Sequence, residues 1–206
     1  MNNLFKYPRT HHLPWSRSRT DDDKILKNCD HFIGMNVGVF IKMDGENTNL
    51  YKDYYHARSL DSNNHSSRNF VKAFHATFKN DIPDDWRICG ENVFARHSIA
   101  YSALKSYFYG FSIWNEENYC LSWKETLEYF QLFGITPVEE IYRGIWDEEI
   151  IKNLDYGDQE GYVVRNIESF HYSDFKKNVA KNVRPHHVQT DKHWMSQEIV
   201  PNELEK

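Results

Sequence analysis

The sequence has few cysteines and lacks any long hydrophobic run. Cys29, Cys89 and Cys120 do not have the spacing of metal ligands, and their odd number argues against a disulfide framework. No stretch approaches the roughly 18 apolar residues of a membrane span, and the first residues lack the apolar core of a signal peptide. We therefore expect a soluble, cytoplasmic protein with reduced thiols and no membrane contact.

A net positive charge, internal repeats and Pro/Gly/Ser-rich linkers are also missing. The formal net charge of −5 excludes a globally basic nucleic-acid-binding protein. Basic residues are nevertheless concentrated at 6–27 and 174–192, where they could attract phosphate or simply form solvated faces. We expect one domain over residues 1–206, with a polar, frayed tail from about residue 195.

Aromatic side chains, in contrast, make up 16% of the chain. This content exceeds what a core strictly needs, and it would suit stacking on nucleic-acid bases. An aromatic core explains the same composition, so both interpretations remain open at this point.

Four short segments are rich in β-branched and aromatic residues, which predicts strands at 37–42, 86–91, 107–114 and 161–165. Three segments predict helices. Phe70, Phe74 and Phe78 recur at helical spacing, residues 122–125 form a capping box ahead of a stop at Gly134, and residues 147–154 have an apolar face. The elements indicate an α+β fold with mainly antiparallel sheets and flanking helices.

Residues 9–24 show no hydrophobic period, which predicts a loop before the first helix, with Thr20 or Asp21 as the helix cap. Histidines cluster at both ends of the chain, but no fourth ligand at zinc-binding spacing accompanies them. We therefore expect polar loop histidines at His11, His12, His186, His187 and His193.

The first candidate for chemistry is Lys42, which follows a predicted strand and precedes the turn residues Asp44 and Gly45. A lysine amine attacks phosphorus only when it is neutral, so such a nucleophile needs a lowered pKa or a metal beside it. Gly45 would permit a close backbone approach. The tetrapeptide alone is a weak signal, because a surface lysine entering a β-turn has the same pattern.

Carboxylates stand at the ends of two further predicted strands, at Glu91 and Glu160. Carboxylates on rigid strands could hold a divalent metal and accept ribose hydroxyls, although strand-end glutamates often just face solvent. Phe111 could stack on a purine or belong to the core. In the basic segment 175–184 we expect Val179 and Val183 to face inward, with Lys177, Lys181 or Arg184 facing phosphate; a solvated basic strand is the alternative.

The order of these motifs resembles the covalent nucleotidyltransferase superfamily. Its five motifs are matched by Lys42-Met-Asp-Gly-Glu-Asn47, Cys89-Gly-Glu91, Tyr109-Gly-Phe111, Glu160-Gly-Tyr162 and the segment 177–184. Asn47 at the sixth position of the first motif and Arg58 downstream resemble the ATP-dependent RNA ligases that seal nicks. The resemblance runs from about residue 8 to residue 194 and implies the ATP-grasp-like adenylylation domain of ligases.

The resemblance implies that Lys42 takes AMP from ATP as a covalent lysyl-AMP, passes it to an RNA 5′-phosphate, and helps a 3′-hydroxyl join the ends. Lys42, Glu160 and Lys181 would be catalytic, and Mg²⁺ or Mn²⁺ would be held by Glu160 and Asp44. The implied nucleotide contacts are Glu91 with ribose, Phe111 with adenine, the backbone of Ile41, the pocket-shaping pair Asp44 and Gly45, and the phosphate-binding residues Asn47, Arg58 and Lys181, with Lys177 in reserve.

Four features of the chain depart from the family pattern. Ile41 stands where relatives often have Glu, and Ser112 stands where some have an acid. The basic segment does not fit the usual Lys-x-Lys spacing, and we expect too few residues after Val183 for an OB domain. The alternatives are a capping-type or DNA-ligase-type nucleotidyltransferase using GTP or ATP, which Asn47 disfavours, and a non-catalytic nucleotide- or RNA-binding module. The expected partner is RNA with 5′-phosphate and 3′-hydroxyl ends; a separate end-healing or RNA-binding protein is left open.

Overall fold

The computed structural model describes residues 4–17, 23–61, 65–185 and 198–206. The expected helix cap at Thr20 or Asp21 and the histidines His186, His187 and His193 lie outside these ranges. No helix in the described part of the chain is long and apolar enough to cross a membrane.

Two sheets and a few helices form the fold, as the α+β prediction requires. The first sheet has the order β1-β12-β10-β2-β9, in which only β1 and β12 pair in parallel. The second has the order β11-β7-β6-β5-β3-β4, with the short β8 added in parallel to β6. The strands are β1 His11–His12, β2 Asn36–Lys42, β3 Glu46–Leu50, β4 Tyr55–Ala57, β5 Arg87–Asn92, β6 Phe108–Trp114, β7 Tyr119–Cys120, β8 Thr136–Pro137, β9 Glu140–Ile145, β10 Gly161–Asn166, β11 Phe170–His171 and β12 Val179–Val183.

The helix expected to begin near residue 21 is not found, because the described residues 23–29 contain none. The other three predicted helices are present. They are α1 Asn69–Phe78, α2 Trp123–Phe133 and α3 Glu148–Lys152, and a fourth, α4, covers Phe175–Asn178. Ser122 and Glu125 make the reciprocal hydrogen bonds of a capping box, and Gly134 ends α2 with φ of 67°. Such a cap contributes about 1 kcal/mol. Phe78 of α1 packs on Phe133 of α2, so both helices bury their aromatic faces.

Strand β2 is buried on both sides, which explains its continuous apolar sequence. Val37 and Val39 belong to one core cluster with Val164 of β10. Phe40 and Ile41 belong to the larger cluster between the sheets and the helices. Lys42 therefore stands at the end of a strand that packing fixes from both faces.

Three expectations about local structure are wrong. Within 9–24, residues 11–12 form a strand rather than a loop, and His12 is buried. The basic segment is not one strand, because α4 occupies its first four residues and β12 its next five. A two-residue strand and a one-turn helix are both too short to show a period in sequence. The inward orientation of Val179 and Val183 is confirmed.

The end of the chain is packed where a frayed tail was expected. Pro201 and Leu204 form β-bridges with Ala95 and Leu104. Asn202 is 2% exposed; its Nδ2 donates to the Val93 carbonyl at 2.8 Å and its Oδ1 accepts from the Tyr101 amide at 2.9 Å. The polar composition of residues 198–206 predicted an exposed tail, because it gives no sign that the Asn202 side chain hydrogen-bonds buried backbone groups.

Replacing Asn202 with Ala should lower the free energy of unfolding by about 1–3 kcal/mol, because it leaves the Val93 carbonyl and the Tyr101 amide buried without partners. Urea unfolding monitored by tryptophan fluorescence measures this loss. Asn153→Ala is the matched control, since that amide donates to Glu149 at the exposed surface, and it should change stability by less than about 0.5 kcal/mol. Equal effects of the two variants would contradict a packed tail.

Candidate active site

A cavity of about 440 Å³ lies between the two sheets, beside the end of β2. Both sheets contribute to its wall, and the segment that precedes β1 crosses one side. Its lining residues are Tyr7, Pro8, Arg9, Thr10, Asp23, Phe40, Ile41, Lys42, Met43, Asn47, Arg58, Glu91, Phe111, Ser112, Trp114, Cys120, Val138, Val163, Arg165, Phe170, Phe175, Val179 and Lys181.

Lys42 meets Glu160 because β2 and β10 are antiparallel neighbours in which Lys42 pairs with Gly161. Lys42 Nζ donates to Glu160 Oε2 at 2.5 Å, and the lysine and glutamate side chains are only 23% and 10% exposed. Burial alone would lower the pKa of Lys42, but the carboxylates of Glu160, Glu91 and Asp44 together hold it above its usual value. The amine therefore carries a proton at neutral pH in the protein without nucleotide.

Glu91 lies on β5, opposite Asn47 of β3. Burial raises the pKa of the Glu91 carboxyl to about 8, against the lowering effect of Lys42, and the carboxylates of Glu160 and Asp44 raise it further. Lys42 and Glu91 line the cavity, and the carboxylates of Glu160 and Asp44 lie close enough to both to act on their charge. Three carboxylates beside a single ammonium repel one another, and a further cation would relieve that repulsion. Groups with pKa values shifted in this way concentrate at functional sites.

Asp44 and Gly45 shape the turn after Lys42. Asp44 is 7% exposed, and its Oδ2 accepts hydrogen bonds of 2.7 Å from the amides of Ser98 and Ile99. A Cβ on Gly45 would lie 2.5 Å from the Asn92 carbonyl oxygen, so the expected close approach of backbones at Gly45 is confirmed. These amide contacts fix Asp44 in the turn; its metal-binding role stays a prediction.

Phe111 and Ile41 also line the cavity. The Phe111 ring meets Tyr7 edge to face, with 5.2 Å between centroids, and its carbonyl accepts from Arg165. The Ile41 amide donates to the Glu139 carbonyl at 2.8 Å, so this N–H is not available to a base. Val163 of β10 lies in the same wall.

Cationic and amide groups also line the cavity, with Lys181 close to Lys42 and Asn47 opposite Glu91. Arg58 and Lys181 both face the cavity, and burial is the main cause that lowers the pKa of each. Asn47 Oδ1 accepts from Asn49 Nδ2 at 3.1 Å, which orients the Asn47 amide. Polar groups held in this way suit a polyphosphate.

Lys177, the reserve candidate, is placed elsewhere. It lies on α4 with a side chain 60% exposed and pairs with Asp174 at 3.0 Å, away from the cavity. The one-turn helix shifts the register of the basic segment, so that Lys181 rather than Lys177 reaches the cavity.

Most of the other wall residues were missed in the sequence, among them Tyr7, Arg9, Asp23 and Val163. The first three precede β2 and reach the cavity through long-range contacts, such as the pairing of β1 with β12 and the packing of Tyr7 on Phe111. The concentration of basic residues at 6–27 was the only sequence signal for them. Val163 could have been found from alternation along β10.

Comparison with known proteins gives the same architecture. The chain resembles Naegleria gruberi RNA ligase with PPi (16% identity, TM-score 0.55, covering 88% of this chain and 61% of that one). It also resembles a mutant of that ligase with ATP and Mn (12%, TM-score 0.52, 86% and 59%) and a candidate ATP-dependent DNA ligase from Aquifex aeolicus (19%, TM-score 0.54, 87% and 50%). Among curated proteins none matches.

The structural likenesses, all below 25% identity, show that the fold is that of a ligase nucleotidyltransferase domain. The chain spans about three fifths of the length of the Naegleria ligase. The family model for RNA ligases matches residues 36–183, which include β2 through β12 and so most of the cavity wall. The chain belongs to the RNA ligase family.

Proposed function

We propose that this chain is an ATP-dependent RNA ligase whose covalent nucleotide carrier is Lys42. The observation that carries the proposal is the Lys42–Glu160 pair at one end of a cavity that also has Glu91, Arg58 and Lys181 in its wall. A partly buried lysine with both carboxylates and further cations close to it suits a group that must accept and release a nucleotidyl phosphate.

The first step joins Lys42 to AMP. Lys42 Nζ, after losing its proton, attacks the α-phosphorus of ATP; the nitrogen–phosphorus bond forms, and the bond to the pyrophosphate oxygen breaks. Arg58, Lys181 and the Asn47 amide would bind phosphate oxygens and stabilise the negative charge of the transition state. Phe111 would pack on the adenine and Glu91 would bind a ribose hydroxyl.

Two further steps complete ligation. An oxygen of the RNA 5′-phosphate attacks the phosphorus of lysyl-AMP, the nitrogen–phosphorus bond breaks, and Lys42 regains a proton. The 3′-hydroxyl of the other RNA end then attacks the 5′-phosphate phosphorus, loses its proton and releases AMP. Because the same phosphate-binding groups face the cavity throughout, one site could serve all three steps.

A divalent cation fits the donor set at this end of the cavity. Glu160 is a carboxylate on a rigid strand end, and Mg²⁺ and Mn²⁺ are commonly held by one or two carboxylates together with substrate phosphates. No group of three or more His, Cys, Asp or Glu in the described ranges could hold a metal alone. When bound, the metal would neutralise phosphate charge; Glu160 and Asp44 are the proposed protein contributors.

The decisive experiment measures the intact mass of the protein after incubation with ATP and Mg²⁺ or Mn²⁺. We expect the mass of one AMP to be added, lost on treatment with acid, and absent in Lys42→Ala. Lys52→Ala is the matched control, because Lys52 pairs with Asp84 at the surface, and it should charge normally. No adduct from ATP or GTP would overturn the proposal, and an adduct from GTP alone would favour the capping class.

The charged protein then identifies the acceptor. Offered nicked duplexes with 5′-phosphate and 3′-hydroxyl ends, it should transfer AMP to RNA ends and release Lys42 in the uncharged form. Transfer to DNA ends alone would contradict an RNA ligase. Charging without transfer to any end would favour a nucleotide carrier that depends on a separate RNA-binding partner.

The rate of charging should rise with pH. The carboxylates around Lys42 hold its pKa above the usual value, so the reactive neutral amine is the minor form at neutral pH. Its fraction grows about tenfold per pH unit below the pKa, so the logarithm of the single-turnover rate should rise with a slope of about one between about pH 7 and pH 9. The profile is measured at sub-saturating ATP, where the rate reports the pKa of the nucleotide-free protein. A flat profile under this condition would contradict rate-limiting use of the neutral amine.

A further inference from the structure

Lys181 lies beside a buried histidine because β1 and β12 pair in parallel. His12 and Lys181 are directly paired in the register, and paired residues of neighbouring strands project to the same face of a sheet. His12 is 1% exposed, whereas the Lys181 side chain is 20% exposed and reaches the cavity. The buried His12 side chain thus lies next to the partly exposed Lys181 side chain.

The segment after β1 returns along its other edge and brings Asp23 to the same place. The His12 amide donates to the Lys24 carbonyl at 2.7 Å, and the Leu26 amide donates to the His12 carbonyl at 2.8 Å. Asp23 Oδ1 lies 3.2 Å from His12 Nε2 and 3.6 Å from Lys181 Nζ. The carboxylate therefore stands between the buried histidine and the lysine of the cavity wall.

The hydrogen bond at the other ring nitrogen, Nδ1, defines the form of the histidine. His12 Nδ1 lies 2.7 Å from Ser16 Oγ, which is fully buried and already accepts a hydrogen bond from the Val183 amide. With the Val183 amide as its donor, the Ser16 hydroxyl is placed to direct its own proton at Nδ1, and we take this arrangement as part of the proposal. Burial lowers the pKa of His12, with a further contribution from Lys181. A neutral ring then carries its proton on Nε2, the atom that faces Asp23.

Lys181 needs a counter-charge at this position. Burial is the main cause that lowers its pKa, Lys42 and Arg58 lower it too, and Asp23 and Glu160 oppose them. Glu160 is held by Lys42. Without Asp23, the repulsion from two neighbouring cations would favour rotamers that carry the Lys181 ammonium towards solvent.

We propose that Asp23 is a positioning residue for Lys181, fixed by the buried Ser16–His12 pair and holding the ammonium towards the phosphate site during nucleotidyl transfer. The inference rests on the proposed function and adds to it a residue outside the segment matched by the family model. Asp23 contacts Lys181 rather than the reacting atoms, so its effect should pass through the lysine.

The test is the single-turnover rate of AMP uptake at saturating ATP, together with the Kd for ATP measured by calorimetry. Asp23→Asn should slow charging about 10- to 100-fold, because a displaced transition-state contact costs this much. The Kd for ATP should change less than about threefold, because an interaction made only in the transition state does not contribute to ground-state binding. Asp23→Glu should recover part of the rate. Asp174→Asn is the matched control: it breaks a lysine–aspartate pair at the surface and should leave the rate unchanged.

A double variant separates positioning from a structural effect. If Asp23 acts through Lys181, adding Asp23→Asn to Lys181→Ala should not slow charging further. The ¹⁵N signals of the His12 ring should change in the Asp23→Asn single variant and stay unchanged in the Lys181→Ala single variant. An unchanged rate in Asp23→Asn, or the same loss in the Lys181→Ala background, would overturn the inference while leaving the ligase proposal intact. A wild-type protein that takes up no AMP would overturn both.

Discussion

Replacing Glu160 with Gln should slow the uptake of AMP by Lys42 by about 10²- to 10³-fold, the usual cost of removing one group that stabilises transition-state charge. The substitution has two opposing effects. It removes a carboxylate that raises the pKa of Lys42 and so enlarges the neutral fraction of the amine. It also removes the contact at 2.5 Å that fixes the nucleophile and the proposed metal-supporting charge.

The direction of the result therefore identifies the role of Glu160. If the carboxylate only restrained the lysine proton, Glu160→Gln would charge faster than the wild type. We expect the loss to dominate, because the metal and the triphosphate change the charge balance at Lys42 once they bind, whereas positioning is needed throughout. The measurement is single-turnover charging with saturating ATP and Mg²⁺. Glu140→Gln, which breaks the surface pair with Arg143, is the matched control and should be neutral.

Residues on long strands could be placed from the sequence. Four site residues lie in or next to segments whose β-branched and aromatic content marks them as strands. Lys42 and Glu91 end predicted strands, Phe111 lies within one, and Glu160 directly precedes one. Lys42, Glu91 and Phe111 line the cavity, and Glu160 contacts Lys42. Their meeting depends on the antiparallel pairing of β2 with β10, of β3 with β5 and of β5 with β6. Their chemical roles remain the proposal made above.

Residues that reach the site only through the pairing of a very short strand could not be placed from the sequence. His12 and Lys181 are neighbours although most of the chain separates them, and a strand of two residues carries no periodic signal. For the same reason Asp23 was missed, and Lys177 was kept in reserve beside the preferred Lys181. The choice between them follows from a one-turn helix, α4, whose formation depends on packing of Phe175 in the core rather than on its own propensity.

Gly161→Ala should lower the free energy of unfolding by about 2–5 kcal/mol, combining an unfavourable backbone conformation with overpacking. Gly161 has φ of 154°, and a Cβ there would lie 2.0 Å from the Asn182 carbonyl oxygen and 3.0 Å from Val183 Cα. Both contacts are with the backbone of β12, so no side-chain rotation relieves them. Strand β10 or β12 must move.

The same displacement should disable the site, because Gly161 pairs with Lys42 on one side and with Val183 on the other, and directly follows Glu160. Moving these strands apart separates Lys42 from Glu160 and shifts Lys181. Gly157→Ala is the matched control: its φ is 58° but nothing lies within 4 Å of a new Cβ, so only the backbone strain of about 1–2 kcal/mol applies. Urea unfolding and AMP uptake would be measured on both variants. Equal stability losses, or a Gly161→Ala variant that charges at the wild-type rate, would mean that the close packing of β10 on β12 does not set the geometry of Lys42 and Glu160.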